Sequence, residues 1–205
     1  MKTINTEITS LSQLDLSKTY TFQDYISWRF KERVELLKGY ISKMSPAPNT
    51  QHQIIAGKIY QEIAWYLKGQ KCQVFFAPYD VYLSTNEEKT VVQPDICVIC
   101  DNTKIKRQGC VGSPDLVVEI LSPGNCGTPP ARREMKEKYE IYEEAGVSEY
   151  WVVFPSEEVL QIYLLENAKF VPQKPYTAGD VYTSRVLEGF EIEVAQIFDN
   201  LLKLD

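Results

Sequence analysis

The stretch Leu116-Val117-Val118-Glu119-Ile120-Leu121 is apolar at every position but one. A short run so rich in Val, Ile and Leu reads as a strand buried on both faces, the kind found at the centre of a sheet. Glu119 interrupts it. An ionised carboxylate left unpaired in such a place costs several kcal/mol or is forced neutral. A cation, a metal ion or a set of hydrogen-bond donors must meet it, and that need makes Glu119 the leading functional candidate in the chain.

Upstream, Asp95 opens a second apolar strand, Asp95-Ile96-Cys97-Val98-Ile99-Cys100, directly after Gln93-Pro94. Pro94 is tolerated at a strand start and fixes the entry of the chain. A polar connection containing Lys104, Lys106 and Arg107 joins the two strands and is long enough for a hairpin-like return. If the strands pair, Asp95 and Glu119 converge at one edge of the sheet. Two adjacent acids repel, and a divalent cation relieves both the repulsion and the burial. Equally open on these residues alone is a turn role for Asp95, with Glu119 met by a nearby Arg or Lys. Asp115 follows a second Pro-Asp pair and shares a strand face with Glu119 by period-two counting, but its place at the strand start favours a turn role.

Downstream, a Gly- and Pro-rich loop (Pro123 to Pro130) leads to a charged helix from about Arg132 to Ala145, stopped by Gly146. At about 100° per residue, Met135, Tyr139, Ile141, Tyr142 and Ala145 share one broad face. Lys138 projects into the middle of that face, with Glu134 beside it. A solvated charge run does not place one lysine inside an apolar arc, so Lys138 is expected to point toward the sheet, where Glu119 needs a partner. Two plainer readings stand beside this one: Lys138 snorkels along the apolar face, or it pairs with Glu134 at i,i+4. The functional reading is a lysine that orients an attacking water and stabilises charge on a phosphate.

The remaining chain supplies a frame for these residues. Thr21 caps a short helix carrying Phe22, Tyr25, Ile26 and Trp28. Arg33 to Leu37 and Tyr40 to Met44 form a hairpin around Lys38-Gly39. A turn at Ser45 to Asn49 precedes a longer helix with Ile54, Ile55, Ile59, Ile63 and Tyr66 at helical spacing. Further strands are expected at Cys72 to Ala77, Tyr79 to Ser84, Tyr150 to Phe154 and Val159 to Leu165, followed by short strand signals and a terminal helix. The sum is one mixed α/β domain over residues 1–205 with helices packed on a sheet, residues 1–18 forming a loosely ordered extension.

The bulk properties agree. The chain has 205 residues, 44% apolar and 24% charged, as in an ordinary globular domain. Its net charge is -6, from 22 Lys and Arg against 28 Asp and Glu, which excludes coating of nucleic acid through bulk charge. A local basic groove, or a metal bridging phosphate and carboxylates, remains compatible with it. No stretch approaches the roughly 18 to 20 apolar residues of a membrane span, and Met1 to Ser10 lacks the apolar core of a signal peptide. The cytoplasm is the expected location. Cysteines are odd in number, and the spacing of Cys72, Cys97, Cys100, Cys110 and Cys126 indicates no disulfide framework. Cys97 and Cys100 form a lone CxxC, but residues three apart on a strand face opposite ways, so they read as buried cysteines rather than zinc ligands.

An ordered set of motifs resembles the Uma family of restriction-endonuclease-like proteins, within the PD-(D/E)xK nuclease superfamily. The set comprises Arg33-Val34-Glu35-Leu36-Leu37-Lys38-Gly39, Met44-Ser45-Pro46, His52-Gln53 and Gln93-Pro94-Asp95. It continues with Ser113 to Pro123, then Lys138, Tyr142 and Gly146 to Trp151. The resemblance runs from about residue 20 to residue 165. It implies a restriction-endonuclease-like core: a central mixed β-sheet flanked by helices, here with an extra N-terminal hairpin and extra C-terminal strands. It also implies a divalent-metal site, Mg²⁺ with Mn²⁺ able to substitute, held by Asp95, Glu119 and the backbone carbonyl of Ile120. The chain departs from the superfamily pattern at Leu121, where a lysine is usual, and Lys138 is the position that matches a lysine relocated to the following helix. Glu134 stands where an aspartate is more common. Glu35 and His52 match further family positions, although Glu35 also reads as an exposed or paired strand residue and His52 as a residue that caps or packs at the start of its helix.

The implied activity is Mg-dependent hydrolysis of DNA phosphodiester bonds, with Asp95, Glu119, Lys138 and Glu35 as the catalytic set and His52 and Glu134 in support. Lys104, Lys106 and Arg107 can contact phosphate, or can form a solvated loop. Double-strand cleavage by one-site nucleases often uses two subunits, which leaves a homodimer open. The alternative is a non-catalytic protein that keeps the nuclease fold as a binding or partner-interaction module.

Overall fold

The computed structural model describes residues 7–44, 48–83, 89–122, 129–199 and 201. The strands in chain order are β1 (Val34–Leu37), β2 (Tyr40–Lys43), β3 (Gln73–Phe76), β4 (Val81–Leu83), β5 (Thr90–Val92), β6 (Ile96–Ile99) and β7 (Ile105–Lys106). They continue with β8 (Gly109–Val111), β9 (Leu116–Ile120), β10 (Glu149–Phe154), β11 (Val159–Glu166), β12 (Lys169–Pro172), β13 (Val181–Thr183) and β14 (Glu191–Glu193). The helices are α1 (Phe22–Ser27), α2 (Thr50–Tyr66), α3 (Pro129–Ala145) and α4 (Val194–Phe198).

The apolar run around Glu119 is β9, and it lies inside a six-stranded mixed sheet of order β12-β11-β10-β9-β6-β3. β9 pairs antiparallel with β6 and parallel with β10. The parallel pair requires a crossover, and α3 supplies it. Period two divides β9 between two cores. Leu116, Val118 and Ile120 pack with Ile55, Ile59 and Ile63 of α2, while Val117 faces the side that holds Ile141 and Tyr142 of α3. Glu119 falls on the same side as Val117, so the strand itself aims the carboxylate at α3.

A second six-stranded sheet, β2-β1-β5-β4-β8-β7, covers that same side. Leu37, Val81, Leu83 and Val92 from it join the α3 core. The expected N-terminal hairpin is therefore the edge of a full sheet rather than an isolated appendage. The connection expected as a polar loop contributes β7 and β8 to that sheet after a 3-10 turn at Asn102–Lys104. Gly109 permits the close approach: a Cβ there would lie 2.1 Å from the Asp80 carbonyl oxygen.

The C-terminal hairpin β13–β14 is locked down by a second buried carboxylate. Glu149, fully buried at the start of β10, accepts hydrogen bonds from Trp151 Nε1 (2.7 Å), the Tyr182 hydroxyl (3.0 Å) and Ser184 Oγ (3.0 Å). It also accepts from the backbone N–H groups of Arg185 (2.9 Å) and Val186 (3.0 Å). Neutral donors alone satisfy it, so its role is architectural.

The cysteine expectation is corrected. Cys72 and Cys100 form a disulfide, while Cys97 and Cys110 are free and buried. The physical reason is the antiparallel pairing of β3 with β6: Gln73 lies opposite Ile99, which sets the two flanking cysteines face to face. Spacing along the chain carries no trace of that pairing. The turn expected at Ser45 to Asn49 and the loop expected at Pro123 to Pro130 lie partly outside the described residues. Among the described residues no helix is long and apolar enough to cross a membrane.

Replacing Glu149 by Ala strands several buried donors at once. It is expected to lower the unfolding free energy by about 3 kcal/mol or more, read as a fall in the urea midpoint, with Glu149→Gln losing less because an amide oxygen still accepts.

Candidate active site

Three layers converge where β9 ends. Ile96 of β6 lies opposite Val118 of β9, so Asp95 and Glu119, each one residue outward, emerge at the same edge of the sheet. α3 crosses above them with Lys138 on its buried face; the residue is only 7% exposed. Lys138 Nζ lies 3.1 Å from Glu119 Oε1 and 3.2 Å from Oε2. It also lies 3.2 Å from Oε1 of Glu35, which is buried on β1 of the other sheet. The partner that Glu119 requires is thus a lysine shared with a second glutamate.

Neutral donors complete the cluster. The Tyr142 hydroxyl, one helical turn beyond Lys138, donates to Glu119 Oε1 at 2.7 Å. The backbone N–H of Gln93 donates to Glu35 Oε1 at 2.8 Å. Asp95 Oδ2 accepts from the Ile120 N–H (2.8 Å) and sits 3.1 Å from His52 Nε2. His52 occupies the first turn of α2, where Asn49 caps its backbone N–H. Among the described residues its buried Nδ1 has no hydrogen-bond partner. Asn49, not His52, is therefore the helix cap, and His52, the third residue of α2, turns its ring to Asp95.

Burial and charge act against each other here. Burial pushes the Glu119 carboxyl up to about 7; Lys138 opposes the rise, and Asp95 and Glu35 add to it. Burial works to strip the proton from Lys138, but Glu119 and Glu35 more than offset it and hold the ammonium well above its ordinary range. For His52, burial favours the neutral ring, and the hydrogen bond and charge of Asp95 outweigh it, leaving a net rise. Glu134, on the exposed flank of α3, is raised by local desolvation against the pull of Lys138. Lys138 is consequently a permanent cation and donor, not a base, at neutral pH.

Several of these groups line a cavity of about 560 Å³. Its wall includes His52, Asp95, Glu119, Ile120, Glu134 and Lys138, together with Arg33 and Gln93. Arg33 and Gln93 were quoted among the sequence motifs but not as site residues. Arg33 donates through Nη2 to the Gln93 side-chain oxygen (2.7 Å), and the Gln93 amide nitrogen donates to Asp80 Oδ1 (2.7 Å). Tyr25 and Tyr82 donate to the same Asp80 carboxylate. A chain of hydrogen bonds therefore fixes an arginine at the cavity wall. No local periodicity marks it, because its members come from four separate segments.

Lys104, Lys106 and Arg107 are not brought to the cavity. They lie on or beside β7, the edge of the second sheet farthest from β2, and Lys104 Nζ donates to the Ser113 carbonyl. Asp115, a bend residue just before β9, accepts the Cys100 N–H at 2.7 Å across the β6–β9 pair.

Replacing Lys138 by Met leaves two buried carboxylates without their cation. The Glu119 carboxyl, already pushed up to about 7, then rises further above its unfolded value near 4.3. The folded protein binds more protons than the unfolded chain from that pH upward, so its stability falls as pH rises. The expected loss is about 3–5 kcal/mol at pH 8 and distinctly less at pH 5. The lysine's own contribution is present at both values, being lost only above its unfolded pKa near 10.4. Urea unfolding at the two pH values measures the difference; equal losses would show that packing, not charge, explains the penalty.

The comparisons with known proteins agree with this architecture. A crystal structure described as "a putative nuclease belonging to DUF820" from Anabaena variabilis matches with a TM-score of 0.67 at 16% identity, covering 87% of this chain and 97% of that one. At that identity the likeness establishes the fold alone, which is restriction-endonuclease-like. An uncharacterized protein of Synechocystis sp. is 25% identical over 160 residues, 77% of this chain and 74% of the relative. The Uma2 family, described as "Putative restriction endonuclease", matches residues 22–195. Because that match takes in both sheets, α3 and every member of the buried cluster, the chain belongs to the Uma2 family.

Proposed function

We propose that this protein is a divalent-metal-dependent endonuclease that hydrolyses DNA phosphodiester bonds, with Mg²⁺ as its ion. The observation that carries the reading is the meeting of Asp95, Glu119 and Lys138 in the lining of one cavity, contributed by β6, β9 and α3. Among the described residues no group of three or more His, Cys, Asp and Glu side chains is arranged to hold a metal ion. Mg²⁺ does not need one: it keeps several waters and takes one or two carboxylates. The charge balance also suits a further cation. Glu35 and Glu119 share a single ammonium, Asp95 lies beside them against His52, and the Glu119 carboxyl is raised to about 7.

Asp95, Glu119 and the Ile120 carbonyl would hold the ion. When bound, it would lower the pKa of a water and offset charge on the phosphate. The protein's own residues do the rest. Ile120 N–H and His52 hold the Asp95 carboxylate in one orientation. Tyr142 keeps hold of Glu119 when Lys138 relaxes its grip on one oxygen. Lys138, fully protonated and tethered to Glu35, can then donate to the attacking water or to a phosphate oxygen. Arg33, fixed by Gln93, stands ready for a second phosphate oxygen.

Supercoiled-plasmid cleavage tests the reading. The protein is expected to nick or linearise plasmid with Mg²⁺ or Mn²⁺ and not with EDTA. Asp95→Asn, Glu119→Gln and Lys138→Met are each expected to slow cleavage by about 100-fold or more. Equal cleavage by the wild type and these variants would assign the activity to a contaminant and sink the proposal.

A further inference from the structure

The cavity does not end at the carboxylates. Its wall shares Gly57 and Tyr60 with a second groove of about 740 Å³ that runs along α2 and β3. Helix α2 therefore has two working faces. Ile55, Ile59 and Ile63 fill the core, while Gly57, Tyr60, Ala64 and Trp65, with Lys68 just beyond, recur at helical spacing along the groove. From Gly57 to Trp65 that face is about 12 Å long.

Aromatic rings line this path. Tyr60 and Phe76 meet edge to face with centroids 4.9 Å apart. Phe76 is 58% exposed and Trp65 is 75% exposed, more than any other large apolar side chain among the described residues. Lys68 Nζ lies 5.5 Å from the Trp65 ring centroid. The charge pattern is equally selective. In a chain of net charge -6, the groove along α2 and β3 is lined, among the described residues, by Lys68 and by no Asp or Glu, and the acids lining the adjoining cavity are Asp95, Glu119 and Glu134. A path that alternates exposed rings with a cation and excludes carboxylates until the reacting centre suits a polyanion with stacking bases.

We propose that the α2–β3 groove is a track for single-stranded nucleic acid, with bases stacking on Trp65 and on the Tyr60–Phe76 pair while the backbone follows Lys68 toward Arg33 and the carboxylates. This deepens, and for its purpose rests on, the nuclease reading above: the substrate would be a strand with unpaired bases, not an intact duplex. Bases in a duplex present their faces to one another and cannot stack on protein rings.

The test uses the full chain in EDTA, so that binding is read without cleavage. A 12-nucleotide oligothymidylate is expected to bind and to quench tryptophan fluorescence, the exposed Trp65 reporting while Trp151 is buried. A duplex of equal length is expected to bind at least tenfold more weakly. Trp65→Ala and Phe76→Ser, both at exposed positions, are each expected to weaken oligothymidylate binding roughly tenfold. Trp65→Phe is expected to retain binding and lose the quench. Lys68→Gln is expected to reduce the slope of log affinity against log salt by about 0.7. Equal duplex and single-strand affinity, or no effect of Trp65→Ala, would overturn the track. So would a wild-type dimer that Trp65→Ala or Phe76→Ser dissolves without any oligonucleotide quench, which would give the groove and the β3 edge to a second copy of the chain. Plasmid cleavage with no quench would overturn the track and leave the nuclease reading standing. Binding of a dye-labelled oligothymidylate that Trp65→Ala weakens and Trp65→Phe retains, read by anisotropy in a protein that cleaves nothing, would do the reverse.

Discussion

One buried ammonium ties this molecule together. Lys138 stands on α3 between Glu119 on β9 and Glu35 on β1, so a single cation joins a helix and both six-stranded sheets. Desolvating a charge is expensive, and the cost is met only when geometry and supporting hydrogen bonds are both good. Here the support is visible at each acid: Tyr142 donates to Glu119, and the Gln93 backbone donates to Glu35. The arrangement restricts how α3 can sit. Were the helix to turn by one residue, Lys138 would swing about 100° away and two carboxylates would be left buried without a counter-ion.

Two of the buried glutamates, Glu119 and Glu149, show how environment assigns different tasks to one residue type. Glu149 is surrounded by five neutral donors that converge on it from β10 and the β13–β14 hairpin. That carboxylate is satisfied, and the result is a rivet between elements. Glu119 has a cation and one hydroxyl, with two further acids close by, and burial raises its carboxyl to about 7. It remains electrostatically short of positive charge, at the wall of a cavity that a substrate can enter. An under-compensated acid in an accessible place is what a metal-using site requires, whereas a saturated acid in a closed place stabilises a fold.

How much of this was legible before the structure depends on whether the information is local. Glu119 announced itself by breaking an apolar run, and period two placed it on the face opposite Val118. Lys138 was legible as a cation inside the apolar arc of α3, and the capped α1 was legible from Thr21. The membership of the second sheet was not, since β5, β7 and β8 are two or three residues long and have no periodicity to read. The Cys72–Cys100 disulfide and the Arg33–Gln93–Asp80 chain share the same obscurity: each depends on which distant segments become neighbours. Lys104, Lys106 and Arg107 illustrate the converse, a local cluster of charge that the fold carries to the far edge of the second sheet.

By itself the sequence determined how each functional residue stands within its own element: Glu119 as the one charge in the apolar run of β9, Lys138 inside the apolar arc of α3, and Asp95 at the start of β6. Periodicity is a property of a single strand or helix, so it can be read without knowing the partner. Only the tertiary structure decided that these residues face one another, that Glu35 arrives from another sheet to share the lysine, and that an aromatic groove leads to them. Those facts depend on strand order, register and the closure of long loops, which the whole chain settles together and no short segment records.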